Sequence, residues 1–292
     1  MKAELLLDCA NILGEGIQWS VPDQRLYWTD IQASQLWSCD EFGQNVVVKD
    51  LPERLCSFAF DLDGHMLCAF ASGLYRLNVK TEACELLSLF EPDLTGTRLN
   101  DGRCDRLGRF IVGGYHEAGP EAISSVISYA DEKVIPLIQN VKCTNGLCFS
   151  ADGRNMYFTD TATKIINRFD YDPDTGALSN KVDFAVLGDE DGSPDGSCLD
   201  GEDAIWNAQF RGARVQRFLK DGTRDICVDV PAPNVTCVCF GGADLDTLFI
   251  TTARHKMTDD QLAQSPQAGG VFFVKPDVCG FAENRYKGHL FP

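Results

Sequence analysis

The sequence is short of basic residues. It holds 26 lysines and arginines against 43 aspartates and glutamates, which gives a formal net charge of −17, and it has no basic cluster. A field of this sign repels nucleic-acid phosphates and anionic membrane surfaces. We therefore expect neither a nucleic-acid nor a membrane partner, and we interpret most of the acidic residues as a solvated surface.

Residues that build zinc sites and membrane segments are also scarce. There are four histidines, His65, His116, His255 and His289, and no two cysteines are spaced as CxxC, which argues against a Cys/His zinc site. No apolar run reaches the length of about 18 residues that a membrane helix needs. The chain also has no charged-then-apolar leader. We therefore expect a cytoplasmic protein.

Cysteine is the one abundant residue that needs an explanation. The 13 cysteines are odd in number and scattered, and most of them lie inside apolar runs, as Cys68, Cys104 and Cys148 do. Cys237 and Cys239 have strand spacing, so both side chains point to one face. We predict that the cysteines are small buried hydrophobes rather than disulfide partners or catalytic thiols.

An internal repeat organises the chain. A turn signal recurs every forty to fifty residues or so, and such spacing is typical of repeat architectures. The signals are SVPDQ at 20–24, DLDG at 61–64, DRLG at 105–108, SADG at 150–153, LDGED at 199–203 and GADLD at 242–246. Each is followed by an apolar, aromatic-rich run, then by an alternating segment that ends in another turn, and both patterns indicate strands.

Four strands in each of six units predict an all-β fold, a six-bladed β-propeller with four-stranded blades around a central channel. Outer strands are expected at 46–49, 84–89, 134–138, 182–186 and 224–228. The sixth unit lacks a clear fourth strand, whereas the strand-like run 4–9 has no unit of its own. We expect this N-terminal strand to close the ring, and we expect a single domain over residues 1–292.

Four polar residues stand at similar places in the repeat, where the innermost strands should begin. They are Glu15 in LGEG, Asn100 in RLND, Asn145 in TNG and Asp195 in PDGS. Asn-Gly or Asp-Gly alone is more often a turn than a ligand. A shared phase in the repeat would instead bring all four oxygens together at one rim of the channel. Such a cluster favours a hard divalent cation, Ca²⁺, Mg²⁺ or Mn²⁺, with Zn²⁺ and Fe²⁺ as alternatives.

Several sequence blocks resemble one known family over roughly residues 5 to 275. The blocks are the LGEG…W opening, RLNDG followed by GRF-VGG, TNGLCFS-DG, YFTDT, PDGSC-D, and the closing CFGG-DL-TLFITTAR with AGGVF. They resemble the family of senescence marker protein, gluconolactonase and luciferin-regenerating enzyme. The resemblance implies a six-bladed propeller that binds one divalent cation, with Ca²⁺ favoured, and hydrolyses sugar lactones.

The resemblance also implies roles for individual residues. The family's metal ligands fall on Glu15, Asn145 and Asp195. Its substrate contacts fall on Arg98 and Asn100.

A third substrate contact, Glu117, is carried over less firmly. It lies in the run GGYHEAGPEA, which departs from the family's usual pattern. Tyr115 and His116 are the alternative specificity residues there.

The implied chemistry is ester hydrolysis. A Lewis acid stabilises the oxyanion that forms when water attacks a lactone carbonyl. Asp195 is the expected general base, and its alternative role is that of a ligand alone. Arg98 is expected to donate paired hydrogen bonds to sugar hydroxyls or to the developing carboxylate, the alternative being an ion pair that lines the channel.

Two other functions fit the same scaffold. One is a calcium-binding regulatory or scaffold propeller, and the other is a promiscuous hydrolase of organophosphates or other esters on the same metal site. The expected partner is a small sugar lactone. The expected oligomeric state is a monomer or a weak homo-oligomer.

Overall fold

The structure is a computed structural model in which residues 1–288 are described, and strands dominate it. The described strands form six four-stranded sheets with antiparallel pairing between neighbours. This arrangement is the six-bladed β-propeller that the repeat predicts, and the fold prediction is confirmed. His289 lies outside the described residues.

The blades follow one another along the chain, each starting with its inner strand. In chain order the strands are β1 (Glu4–Leu7); β2 to β5 of blade 1 (Gly14–Ser20, Arg25–Asp30, Gln35–Cys39, Val47–Asp50); β6 to β9 of blade 2 (Leu55–Phe60, Met66–Phe70, Gly73–Leu77, Cys84–Leu89); β10 to β13 of blade 3 (Thr97–Cys104, Phe110–His116, Ser124–Ala130, Lys133–Val141); β14 to β17 of blade 4 (Thr144–Phe149, Asn155–Asp160, Ile165–Tyr171, Leu178–Val186); β18 to β21 of blade 5 (Ser193–Leu199, Ile205–Phe210, Arg214–Phe218, Arg224–Asp229); and β22 to β24 of blade 6 (Val235–Gly241, Thr247–Thr252, Val271–Val274).

The N-terminal strand completes the sixth blade. That sheet has the order β1-β24-β23-β22, and Glu4 and Leu5 pair antiparallel with Phe273 and Phe272. The expectation that the N-terminal segment supplies the missing fourth strand is confirmed. The two ends of the propeller are therefore joined by backbone hydrogen bonds within one sheet.

The chain divides into two compact units. One contains Met1–Arg54 and Phe184–Glu283, and so holds blades 5, 6 and 1 and the end of β17; the other contains Leu55–Asp183 and the described residues from Asn284 onward, and holds blades 2 and 3 and most of blade 4. A single domain over residues 1–292 stays a prediction.

One short helix escapes the sequence analysis. The helix α1 (Asp259–Gln264) lies between β23 and β24, and two 3₁₀ turns occupy Thr161–Thr163 and Asp189–Asp191. Thr258 and Gln261 form a capping box, in which each side chain binds the other residue's backbone N–H. None of the helices among residues 1–288 is long and apolar enough to cross a membrane.

The cores consist of apolar side chains, many of them aromatic or β-branched, from adjacent blades of one unit. In the first unit Trp28, Phe249, Cys237 and Cys239 belong to one buried cluster. Cys237 and Cys239 thus pack on one side of their strand, as their spacing predicts. Eight of the thirteen cysteines are buried, which agrees with their interpretation as small hydrophobes.

The recurring turn signal has a physical cause at the end of the inner strand. In blade 5, one carboxylate oxygen of Asp200 accepts hydrogen bonds from the backbone N–H groups of Glu202 and Ala204, at 2.9 and 3.1 Å. The other oxygen accepts from Arg217 Nε at 2.7 Å and from Trp206 Nε1 at 2.8 Å. The carboxylate therefore shapes the turn and anchors it to the second and third strands.

Asp105 shapes the corresponding turn of blade 3 in the same way. One oxygen of Asp105 binds the backbone N–H groups of Leu107, Gly108 and Arg109. Its other oxygen accepts from Arg109 Nη1 and from the Tyr171 hydroxyl, each at 2.7 Å. Replacing a buried carboxylate that accepts this many hydrogen bonds destabilises the fold, because the buried donors lose their acceptor.

We expect Asp200→Asn to lower the free energy of unfolding by about 2 to 4 kcal/mol, because it removes the one fully buried carboxylate that pairs with the buried Arg217 guanidinium. Arg217 keeps two other carboxylate partners, Glu202 and Asp225, which limits the loss. Urea unfolding at neutral pH measures the effect. The exposed Asp244→Asn is the control and should change stability by less than about 0.5 kcal/mol. Equal stability of the two variants would contradict this role for Asp200.

Candidate metal and substrate site

Every inner strand has a β-bulge against the second strand of its blade. The register shifts fall between Glu15 and Gln18, Leu55 and Ser57, Leu99 and Gly102, Asn145 and Cys148, Pro194 and Ser197, and Val235 and Cys237. Glu15 and Asn145 stand directly before a bulge, whereas Asn100 and Asp195 lie inside one. Bulges re-aim side chains and are frequent beside active sites. The four predicted residues thus share a structural feature, although they do not all share one register position.

The two asparagines of the second unit contact each other. Asn100 Nδ2 donates to Asn145 Oδ1 at 3.1 Å and to the Thr144 carbonyl at 2.7 Å. Asn145 Nδ2 donates to Thr161 Oγ1 at 2.7 Å. Because the nitrogen of the Asn145 amide donates to Thr161, its oxygen is the atom that faces Asn100 and accepts from it. An amide oxygen held in this way suits a hard cation.

Arg98 lies next to this pair and is almost fully buried, at 4% exposure. Its Nη1 donates to Asn100 Oδ1 at 2.6 Å and to the Leu99 carbonyl at 2.8 Å, and it contacts Cys56 Sγ at 3.6 Å. Its Nε forms an ion pair with Glu117 Oε1 at 2.8 Å. Among residues 1–288, Nη2 has no partner. Hydrogen bonds therefore hold the guanidinium through Nη1, whereas Nε makes only the ion-pair contact and no hydrogen bond of good geometry among residues 1–288, and Nη2 is left for a ligand.

The Arg98 guanidinium stays protonated although it is buried. Burial by itself would lower the pKa of the guanidinium, but the neighbouring Cys56 and the ion pair with Glu117 outweigh burial and hold the pKa above its ordinary value. A buried cation that stays protonated at every physiological pH can bind an oxygen-rich or anionic ligand.

Tyr115 has two cations close to its ring. The Arg98 guanidinium and the Lys142 ammonium each stand 5.0 Å from the centre of its ring. Both distances are within the range of cation–π attraction. Burial raises the pKa of the Tyr115 hydroxyl, so this side chain acts as a neutral platform beside Arg98.

His116 is oriented differently. It follows Tyr115 on β11, and successive strand residues point to opposite faces. Its Nδ1 lies 3.0 Å from the Glu121 carbonyl, and its side chain is 8% exposed. The contacts of the described residues thus place Tyr115, rather than His116, against Arg98.

In the first unit, Glu15 and Asp195 occupy the corresponding inner strands of blades 1 and 5. Asp195 is 6% exposed, and its backbone carbonyl accepts from Asn207 Nδ2 at 2.9 Å. Gly196 follows it where a Cβ would come within 2.9 Å of Cys237 Cα, so only glycine fits there. Gly16, after Glu15, has a left-handed φ of 58°. The glycines after these acids therefore have steric and conformational causes of their own.

Two further aspartates position the strands that bear the site, and the sequence analysis missed their role. The carboxylate of Asp30 accepts from the N–H groups of Ile12 and Leu13, at 2.7 and 3.0 Å, just before β2. The signal for this role is present in the sequence, as YWTD at 27–30 and YFTD at 157–160, at equivalent places in the repeat.

Asp160 plays the same part in blade 4. Its carboxylate accepts from the N–H groups of Lys142 and Cys143, at 2.9 and 3.1 Å, just before β14. Each carboxylate therefore fixes the backbone that leads to a predicted ligand.

One cluster among the described residues has the composition of a metal site but a different occupant. The ligand atoms of Asp61, Asp63 and His65 lie within 4.8 Å of one another. Arg76 Nη2 reaches all three, at 2.9 Å from Asp61, 3.0 Å from Asp63 and 3.3 Å from His65. Because a side-chain cation already binds these donors, we interpret the cluster as a salt-bridge network of the blade 2 turn.

Comparison with known proteins places this geometry in a family. Residues 13–254 match the family described as SMP-30/Gluconolactonase/LRE-like region. The chain belongs to this family. The resemblance inferred from the sequence blocks is therefore confirmed.

Individual relatives cover nearly the whole chain. It is 37% identical over 292 residues to L-arabinolactonase of Azospirillum brasilense, covering 98% of this chain and 96% of that protein. It is 33% identical over 279 residues to 6-deoxy-6-sulfogluconolactonase of Pseudomonas putida, covering 95% and 96%. A crystal structure of regucalcin from Agrobacterium tumefaciens, described as a calcium-binding protein, matches with a TM-score of 0.94 and 30% identity, covering 98% and 97%.

Proposed function

We propose that this protein is an enzyme that hydrolyses a sugar lactone to its aldonic acid with the help of one bound divalent cation. Two relatives that match it over nearly their full length are named as lactonases of sugar acids. The observation that carries the proposal is the Arg98 guanidinium, which is buried, charged and fixed beside Asn100, with Nη2 available. This is a donor suited to the oxygens of a polyhydroxylated substrate.

We propose Glu15, Asn145 and Asp195 as the ligands of the cation. The donor set consists of two carboxylates and one amide oxygen, which is hard-ligand chemistry. The hydrogen bond from Asn145 Nδ2 to Thr161 presents the amide oxygen as ligand, which supports a fit. Ca²⁺ is our first choice because the Agrobacterium regucalcin is described as calcium-binding. When bound, the cation would polarise the lactone carbonyl and stabilise the oxyanion.

Arg98 and Asn100 would orient the substrate. Nη2 of Arg98 would donate to a sugar hydroxyl or to the carboxylate as it forms. The hydrogen bond from Nη1 to Asn100 Oδ1 holds the guanidinium in its orientation. Tyr115 offers a flat surface beside it. Orientation of this kind lowers the entropic part of the barrier.

Asp195 would act as general base. Water would attack the carbonyl carbon and give its proton to the Asp195 carboxylate, the ring C–O ester bond would then break, and the leaving alkoxide would take that proton back from Asp195. The products are one hydroxyl and one carboxylic acid, which ionises at neutral pH. Acid release therefore reports turnover directly.

We expect a chelator to abolish lactone hydrolysis and one equivalent of divalent cation per chain to restore it, because oxyanion stabilisation is worth roughly 3 kcal/mol or more. A pH-drop assay with an aldonolactone measures the rate, and calorimetry measures the stoichiometry. Undiminished turnover by the stripped protein would contradict the metal-dependent mechanism, whereas cation binding without any turnover would favour a calcium-binding regulatory or scaffold propeller.

Replacing Arg98 by alanine should weaken transition-state binding by about 1 to 3 kcal/mol, the range for hydrogen bonds to a charged group. The cation should remain bound, since Arg98 is not among the proposed ligands. The measurements are kcat/KM and metal titration of the same preparation. Loss of the cation from Arg98→Ala would show that the role assigned to this residue is wrong.

The variants Asp195→Asn and Glu15→Gln separate base from ligand. Each keeps an oxygen that can coordinate and removes one negative charge, but only the first removes the proposed base. At equal metal occupancy Asp195→Asn should be the slower, by a factor of about 10² to 10⁴ typical of general-base loss. Single-turnover rates under saturating cation provide the comparison. Equal rates would reduce Asp195 to a ligand.

A further inference from the structure

Lys142 is a cation with an unusual set of partners. Its ammonium donates to the backbone carbonyls of His116 and Gly119. Among residues 1–288 it has no carboxylate within ion-pair distance, although the chain as a whole carries a large excess of acids. An ammonium has three donors and a strong hydration shell, so its binding to the carbonyl of the last β11 residue and to a carbonyl of the following loop indicates a specific task.

The loop that it holds bears Glu117. This loop, residues 117–123, connects β11 to β12, and its residues are exposed apart from Gly119, which is partly buried. The two carbonyls bound by Lys142 stand on either side of Glu117 and Ala118. The backbone N–H of Glu117 donates to the Gly96 carbonyl at 2.8 Å. The backbone of this exposed loop is thereby held on both sides of Glu117, at the carbonyls of His116 and Gly119, and at the Glu117 N–H itself.

Lys142 is itself held firmly. Its backbone N–H donates to Asp160 Oδ2 at 2.9 Å, and its carbonyl accepts from the His116 N–H at 3.0 Å. Its ammonium also lies over the Tyr115 ring. The side chain therefore extends to the loop from a backbone whose position is already set.

We infer that Lys142 is a positioning residue, which tethers the 117–123 loop so that Glu117 reaches Arg98. The chain of contacts is continuous, from the ammonium to the loop carbonyls and from the Glu117 carboxylate to Arg98 Nε at 2.8 Å. The side chain of Glu117 is 31% exposed, so without the tether solvent competes for it. This role rests on the proposed function, because Arg98 is the substrate-orienting group there.

The test compares Lys142→Met with Lys142→Arg, which restores a cation and its donors. Lys142→Met should raise KM about tenfold with kcat changed less than about twofold, the pattern for loss of ground-state and transition-state binding together. Lys142→Arg should recover part of the KM. Lys275→Met is the matched control, because Lys275 is exposed and pairs only with Asp246, and it should behave as wild type.

A double-mutant cycle decides whether Lys142 acts through Glu117. If it does, Lys142→Met combined with Glu117→Ala should have the KM of Glu117→Ala alone. Multiplying effects would overturn the inference, because they would mean that Lys142 contributes independently of Glu117.

Hydrogen exchange supplies a readout that needs no substrate. The amides of His116 and Glu117 should exchange at least about tenfold faster in Lys142→Met than in wild type, because local opening of the loop becomes easier. Unchanged exchange would refute the tether even if KM rises. Absence of lactone turnover in the wild type would refute the proposed function instead, and the exchange result would still decide the inference.

Discussion

The departure of each inner strand from regular pairing is the constraint on which the rest of the site depends. A β-bulge puts two residues opposite one and turns the strand, and all six inner strands have one where they begin. The polar side chains proposed as ligands lie directly before or inside these bulges. Gly196 shows the cost, since β22 passes so close that no Cβ fits beside Asp195. The backbone geometry of the bulges therefore determines where the proposed ligands lie.

Carboxylates bound to backbone N–H groups complete this framework. Asp30 and Asp160 fix the segments before two inner strands, and Asp105 and Asp200 fix the turns after two others. A charged carboxylate accepts hydrogen bonds from backbone N–H groups more strongly than a neutral side chain does. Some of the large acidic excess is thus structural, rather than a solvated surface alone.

In the second unit, the buried Arg98 guanidinium is held in place while one of its nitrogens stays available for a ligand. Arg98 is held by hydrogen bonds through Nη1 and by the ion pair through Nε and keeps Nη2, so it is both rigid and able to bind. Its anion comes from an exposed loop, which makes the orientation of the guanidinium depend on how well that loop is held. Lys142 is the residue that contacts the loop from a rigid base. Substrate orientation would then be adjustable from outside the proposed metal ligands.

The sequence by itself determined the six blades, the closing N-terminal strand and the positions of Glu15, Asn100, Asn145 and Asp195, because the repeat and the alternation of apolar residues encode local pairing. It also pointed to Arg98 through the family resemblance. Only the tertiary structure decided that Glu117 pairs with Arg98, that two cations lie close to the Tyr115 ring and that Lys142 binds carbonyls 23 and 26 residues earlier in the chain. The reason is physical: contacts between side chains far apart in sequence depend on distances and directions that no periodicity specifies.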